Sequence, residues 1–317
     1  MRVAILMGVL NGARWLPAQL ASIRSQSHSD WHLVARDDGS ADESREILDR
    51  FVREVGADRA TLTDGPRRGV TANFLGALAD VPEGHGAAFS DQDDVWDPEK
   101  LAVAVADLDR AGHQPAAWAC RLMRVDAALR PIGPTKSPRR GPGFANALVE
   151  NILSGNATVL NPAAVSRLRP LAAAAISAGV PVHDWWVYQV ISGIGGKVIW
   201  RDEPLVLYRQ HGGNVIGAQG GAAAALLRIR RLADGTFAGW LDANRMALDA
   251  VPLSDEAAET LRAFDVARSG PAWRLPGAFS AAGIHRQGAR DDMVLRMSAR
   301  LGCLTTRSAT RVSAHAG

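Results

Sequence analysis

Cysteine is scarce: Cys120 and Cys303 are the only two in 317 residues, they lie far apart, and neither belongs to a metal-binding or redox spacing. A disulfide scaffold and a cysteine-built zinc site are thereby excluded, and the usage fits a reducing compartment. Long apolar runs are absent as well. None approaches the roughly 18 to 20 residues that cross a bilayer, and the N-terminus enters a strand-like segment without the architecture of a signal peptide, so the chain reads as cytoplasmic. Neither G-x-G-x-x-G nor G-x-x-x-x-G-K-[ST] occurs in the loops that follow the apolar segments, which excludes a dinucleotide fingerprint and a P-loop there. A strong charge of one sign is missing too: the net charge is +3, too mild to call for nucleic acid as a partner.

What is present is an alternation of apolar runs with helical patterns, in a chain whose 47% hydrophobic content suits a sizeable core. Arg2–Met7 reads as a buried strand and Trp15–Gln26 as a helix with Leu16, Leu20 and Ile23 at helical spacing. A second strand, Trp31–Arg36, stops at Asp37-Asp38-Gly39-Ser40, and Ser44–Val55 forms a second helix with Ile47, Leu48 and Phe51 on one face. A short strand at Ala60–Leu62, a helix over Val70–Leu78 and a strand at Gly86–Phe89 continue the series. This order calls for an α/β fold with a mostly parallel sheet covered on both faces. Beyond Leu101 the pattern loosens: strands are expected at Ala116–Val125 and Ala157–Leu160, a helix at Asp184–Ile191, and a strand pair at Lys197–Trp200 and Pro204–Tyr208. The proline-rich stretch Pro131–Gly143 is expected to be a loop, of the kind that serves as a lid.

Ligands of open parallel sheets bind outside the carboxyl ends of the strands, and that is where the polar clusters fall. Asn11 and Gly12 follow the first strand, Asp37 to Ser40 the second, and Ser90-Asp91-Gln92-Asp93-Asp94-Val95-Trp96-Asp97-Pro98 the fourth. Carboxylates crowded at a strand end repel one another, and a hard divalent cation completed by water and phosphate oxygens relieves them. Asp91 and Asp93 are therefore candidates for a metal-diphosphate site, while Asp97 suits the N-cap of a helix opened by Pro98. Asp37 and Asp38 can accept from a base N–H or a ribose hydroxyl, or equally make a turn with Gly39 and cap the next helix. In His183-Asp184-Trp185-Trp186, Asp184 can serve as a general base or as a helix cap, and the two Trp faces as a sugar platform or as core. Tyr208-Arg209-Gln210-His211 ends a strand with Arg209 suited to phosphate and His211 to a metal. Arg68 and Asn73 are weaker candidates, and Arg67 reads as part of a surface turn.

Taken together, Val3–Met7 followed by Asn11-Gly12-Ala13-Arg14-Trp15-Leu16, Gln19–Ile23, Asp37–Ser40, Ser90–Trp96, His183–Trp186 and Tyr208–His211 resemble the family 2 glycosyltransferases of GT-A fold, most closely a bacterial rhamnosyltransferase-like branch that builds surface polysaccharides. The resemblance runs in order through residues 1 to 217 and thins beyond. It implies that Asp38, with Asp37 nearby, meets the nucleotide base and that Asn11, Arg68, Asn73, Asp91 and Arg209 border the nucleotide-sugar. It further implies that Asp93 and His211 hold Mg²⁺ or Mn²⁺, that Asp184 is the base of an inverting transfer, and that Trp185, Trp186 and Asn156 border the acceptor. The implied donor is a nucleoside-diphosphate sugar, with rhamnose favoured, and the implied acceptor is a saccharide or a lipid-linked molecule. One position departs from the family: Val9-Leu10 stands where relatives carry Thr-Tyr, so this loop offers no hydroxyl. Rival readings are a sugar-phosphate nucleotidyltransferase, which would want a basic glycine-rich loop near the N-terminus, and a non-catalytic nucleotide-sugar module, which could dispense with Asp184.

Residues 1–217 are thus read as the transferase domain, 218–304 as a helical appendage and 305–317 as a disordered tail. From Gly221 onward thirteen arginines and no lysine stand against nine carboxylates. In Ala225–Leu232 those cations sit beside Leu and Ile, as in a helix lying on an anionic membrane, although a solvated helix packed on its own domain gives the same pattern. Peripheral contact with the inner face of a membrane is the resulting expectation.

Overall fold

The computed structural model of the chain describes residues 1–211 and 230–305. A nine-stranded sheet runs through it: β1 (Val3–Val9), β2 (Trp31–Asp37), β3 (Ala60–Asp64), β4 (Gly86–Ser90), β5 (Val95–Trp96), β6 (Ala116–Val125), β7 (Pro131–Pro134), β8 (Val159–Leu160) and β9 (Lys197–Arg209). The spatial order is β3-β2-β1-β4-β8-β6-β9-β5, with β7 outside on β6. The expected parallel half is formed by β3, β2, β1 and β4. In the other half β8 runs antiparallel to both β4 and β6, while β6 and β9 are parallel, so the whole sheet is mixed.

Helices α1 (Leu16–Arg24), α2 (Ser44–Val55), α3 (Val70–Ala79) and α4 (Lys100–Asp109) link the first strands, and α5 (Phe144–Ala147), α6 (Pro162–Leu168), α7 (Ala172–Ser177) and α8 (His183–Gly193) follow. Residues of β1 are almost wholly buried on both sides, which its unbroken apolar run requires. Leu16, Leu20 and Ile23 of α1 and Leu48 and Phe51 of α2 cover one face of the sheet together with Val3, Ile5 and Leu33. The other face, with Leu6, Phe89 and Ala117, receives α3, α8 and the C-terminal helices.

Three local expectations are corrected. The anticipated strand pair is one strand, β9, paired along its length with β6, because the intervening Asp202 and Glu203 are taken up where the register slips between Cys120 and Arg121. Pro204 falls opposite Arg121 at that irregularity, where a missing N–H costs no regular ladder bond. Pro131–Pro134 is a strand at the sheet's margin, which tolerates proline, and the rest of the proline-rich stretch is bolted down. The Arg140 N–H donates to Gln287 Oε1 at 2.7 Å, Gln287 Nε2 donates to the Gly141 carbonyl at 2.7 Å, and the Gly143 N–H donates to the Tyr188 hydroxyl at 2.8 Å. That segment is a fixed strap and not a free lid. Asp97, finally, caps a turn ahead of α4: its Oδ1 accepts from Glu99 N at 2.9 Å, and the helix begins at Lys100.

Beyond β9, α9 (Thr236–Ala247), α10 (Asp255–Ser269), α11 (Leu275–Ala281) and α12 (Ala289–Arg300) are all helical. The 217/218 boundary, most of Ala225–Leu232 and the tail from residue 306 lie outside the described residues. Phe237, Leu241, Phe264, Phe279 and Leu295 belong to the same continuous core as Leu6, Phe89 and Trp186, so these helices pack as part of the sheet domain. Phe264 is 1% exposed and stacked on Phe279 at 5.7 Å. Truncating such a ring costs about 3–5 kcal/mol. Phe264→Ala is expected to lower the midpoint of a single unfolding transition followed by circular dichroism; two resolved transitions with only one displaced would show that the helices are a separate unit.

Candidate functional site

Four strand ends meet at one place because the loops after them are tied by side chain to main chain bonds. Gln92 Oε1 accepts the Leu10 N–H at 2.9 Å and Gln92 Nε2 donates to the Leu10 carbonyl at 3.0 Å, zipping the loop after β4 to the loop after β1. Gly12 is required beneath it, since a Cβ there would lie 2.4 Å from Gln92 Oε1. Asn11, at φ 52°, gives its N–H to Ser40 Oγ and accepts from Ala41 N, each at 2.9 Å. Asp37 folds the turn after β2 by accepting from the Ser40 hydroxyl at 2.5 Å. Asp38 is half-buried, and its Oδ1 accepts the Arg67 N–H at 2.7 Å, which closes the 65–69 turn over it with Arg68 exposed alongside.

Behind this frame, one ligand oxygen from each of Asp91, Asp93 and Asp94 lies within 4.8 Å of the others. Asp94 is fully buried; burial first, then the Asp93 charge, pushes its carboxyl up to about 7. Burial and the neighbouring Asp94 and Asp93 likewise raise Asp91 well above the ordinary carboxylate range. Asp94 is held on both oxygens, by Asn156 Nδ2 and by the Arg209 N–H at 3.0 Å. No donor among the described residues reaches the Asp91 carboxylate, and His211 Nε2 lies 2.7 Å from Asp93 Oδ2. This donor set of hard carboxylate oxygens with one imidazole fits a divalent cation. Lys100 is 0% exposed: its Nζ donates to the Asn156 carbonyl at 2.8 Å and sits 3.2 Å from the Trp96 ring centroid, and burial pulls its amine down to about 7.

Asp184 lies in the first turn of α8, close enough that its charge adds to the rise of Asp91. Its Oδ2 accepts the Gly155 N–H at 2.7 Å and its Oδ1 accepts from Asn151 Nδ2 at 2.8 Å. Burial pushes this carboxyl up to about 6. His183 beside it is stacked 4.3 Å from Phe74, and burial drives its imidazole down to about 3, leaving a neutral ring. A Cβ at Gly155 would come 2.7 Å from His183 Nε2, so glycine is needed for the close approach.

Several expected site residues do other work. Trp185 and Trp186 are 3% and 0% exposed, with Trp185 Nε1 donating to the Ala147 carbonyl; they are core, with no face open to a sugar. Asn156 spends its amide on Asp94 and its Oδ1 on the Ser154 hydroxyl, so it positions the acidic cluster and does not meet an acceptor. Asn73 is 2% exposed and turned to the Arg36 carbonyl, inside the wall of the site. Arg209, 3% exposed, donates to the Asp93 and Ala127 carbonyls at 2.8 Å each and lies over Trp15, so it braces the acidic turn and does not present a fork to phosphate. Residues not anticipated as part of the site are Gln92, Lys100, Gln19 and Ser22 of α1, and Gln26 just beyond it. Gln19 Nε2 donates to Ser90 Oγ, Ser22 Oγ accepts the Trp96 N–H, and Gln26 Oε1 accepts the Leu101 N–H. Their signal was amide and hydroxyl groups spaced three and four apart along α1 and the turn after it.

The sequence profile described as Glycosyl transferase family 2 matches residues 4–148. An uncharacterized glycosyltransferase of Nostoc sp. is 28% identical over 225 residues, which is 68% of this chain and 66% of that protein's length. The dTDP-rhamnosyl transferase RfbG of Shigella flexneri is 24% identical over 226 residues, 67% of this chain and 74% of that protein. Two solved structures share the fold. S. aureus TarS (residues 1–349) in complex with UDP aligns with a TM-score of 0.55 at 12% identity, covering 99% of this chain and 90% of that one. The mannosyltransferase PcManGT from Pyrobaculum calidifontis, with GDP-Man and Mn2+, aligns with a TM-score of 0.53 at 20% identity, covering 98% and 83%.

The raised carboxyls set a pH dependence. Asp94 titrates near 7 when folded against an ordinary value of 3.8, so between these values the native state holds a proton the unfolded chain has lost, and this group's contribution to stability falls as pH rises. A cation competes with that proton. Mn²⁺ or Mg²⁺ is therefore expected to raise the melting midpoint more at about pH 8 than at about pH 5; an equal or larger rise at the acidic end would contradict the metal assignment.

Proposed function

We propose that this glycosyltransferase of GT-A fold, whose residues 4–148 match the family 2 profile, moves a sugar from a nucleoside-diphosphate donor by a metal-dependent single displacement with inversion. The observation that carries this reading is the juxtaposition of the Asp91/Asp93/Asp94 cluster and His211 with a separate, buried, doubly hydrogen-bonded carboxylate, Asp184.

Each group then has a task set by its environment. Asp38 offers an acceptor to the nucleotide base at the end of β2, within the frame made by Asn11 and Asp37, and Arg68 is exposed beside it for the phosphates. Asp93 and His211, with Asp91 beside them, are the residues that would hold Mg²⁺ or Mn²⁺. When bound, such an ion supplies the positive charge that stabilises a departing diphosphate. Asp184, ionised and oriented by Gly155 and Asn151, takes the proton of an acceptor hydroxyl. That oxygen attacks the anomeric carbon from the face opposite the diphosphate, and the configuration inverts. Retention would need a second carboxylate nucleophile beside the sugar, and the acidic cluster is committed to the cation.

Similarity to RfbG supports a deoxyhexose such as rhamnose as the sugar. A saccharide or lipid-linked acceptor of surface polysaccharide synthesis fits the same branch, with the enzyme working against the inner face of a membrane; no helix among the described residues is long and apolar enough to cross one.

Because Asp184 must be ionised to act and burial holds it near 6, kcat/KM is expected to rise with pH and level off above that value. Asp184→Asn should lower transfer by at least about 100-fold while nucleoside diphosphate affinity, read by calorimetry, stays within about threefold of wild type. Collapse of affinity together with activity would make Asp184 a donor-site or structural residue.

A further inference from the structure

Six of the nine large hydrophobic side chains exposed among the described residues lie between Met246 and Leu301. Four of these form one patch. Met293, Met297 and Leu301, exposed by 56%, 57% and 77%, recur every fourth residue along α12 and continue to its end, a single stripe about 12 Å long. The end of that helix rests on the turn Ala272–Arg274, where a Cβ on Gly302 would meet the Ala272 Cβ at 3.6 Å, and this turn presents Trp273 at 62% exposure. Between α10 and α11, by contrast, Leu261, Phe264, Leu275 and Phe279 are buried.

The charges around the stripe have one sign. Arg290 and Arg300 are exposed on α12, and the Arg274 guanidinium lies 4.6 Å from the Trp273 ring centroid. The helix has acids, but they are turned inward: Asp292 is buried, accepting from Arg286 N and pairing with Arg296 at 2.9 Å, and Asp291 is half-buried against Gly288. A twofold contact between two copies through this face would set its arginines against one another. An anionic lipid surface meets both features, since Trp, Met and Leu enter the boundary between headgroups and acyl chains while arginines stay with the phosphates.

We propose that the face formed by α12 and Trp273 docks the protein on an anionic membrane. This extends the reading of an acceptor presented at a membrane, and places the contact on α12, apart from the Ala225–Leu232 segment singled out by composition.

The test uses the full chain with phosphatidylcholine vesicles prepared with or without phosphatidylglycerol. Wild type is expected to sediment with the anionic vesicles only, and raised salt to release it, because the arginine contribution is screened. The triple variant Met293→Ser/Met297→Ser/Leu301→Ser removes apolar surface that is already in water, so its circular dichroism and its nucleoside diphosphate affinity should match wild type. Its partition onto anionic vesicles should fall by at least about tenfold. Wild type remaining in the supernatant, or a triple variant that binds as wild type does, would overturn the proposal. So would a wild-type dimer in light scattering that the triple variant abolishes without any vesicle binding, which would give the face to a second copy. Failure here leaves nucleotide binding untouched, so it is distinguishable from failure of the transferase reading.

Discussion

Three carboxylates at the end of a buried strand cannot all carry charge without compensation, and much of the architecture is arranged around that fact. Asp94, fully buried, is fixed on both oxygens by Asn156 and the Arg209 main chain, and Lys100, whose amine burial pulls down to about 7, bonds the carbonyl of the same Asn156. Those donors offset part of the desolvation cost, yet Asp94 and Asp91 still sit above the ordinary carboxylate range because burial outweighs them. The remaining imbalance is at Asp91 and Asp93, on the side toward His211. A protein that only needed a stable fold would do better with apolar residues here; the arrangement makes sense when a divalent cation completes it.

Asp184, the proposed base, is positioned by the same short stretch of chain that holds the cluster. Asn151 and Gly155 orient Asp184, Ser154 orients Asn156, and Asn156 orients Asp94. The partners of Asp184 and of the acidic cluster thus share one six-residue stretch, Asn151 to Asn156, ahead of β8. The environments push the two sets toward different tasks. Asp184 has two neutral donors and is held by burial at about 6, so it is ionised at neutral pH, whereas the cluster favours a proton or a metal. The C-terminal helices contribute from behind: they complete the core under α8 and, through Gln287, bolt the 140–143 strap to it.

The parallel half of the sheet was legible because β1, β2 and β4 are short apolar runs bounded by polar turns, and because helices α1 to α3 keep a 3.6-residue period. The register slip in β9 was not, since a bulge that absorbs Asp202 and Glu203 looks in the sequence like a break between two strands. Asp93 and His211 stood out by residue type and place at strand ends, and Asp184 as an acid opening a helix. Asn156, Arg209 and the tryptophan pair, expected at the ligand, are turned to partners inside the protein. Polar or aromatic character reveals capacity for an interaction, whereas burial, which only the fold supplies, decides whether that capacity is spent inside the protein. Gln92 and Lys100 show the converse, since their roles depend on partners as distant in sequence as Leu10 and Asn156.

The central claim is that the acidic cluster and His211 form a cation site that completes nucleoside diphosphate binding. Calorimetric titration of the metal-stripped protein with a nucleoside diphosphate, repeated with Mn²⁺ present, addresses it directly. The account predicts that Mn²⁺ tightens binding at least about tenfold in wild type and not in Asp93→Asn. Equal affinity with Mn²⁺ and with excess chelator, in a protein that still transfers sugar, would contradict it.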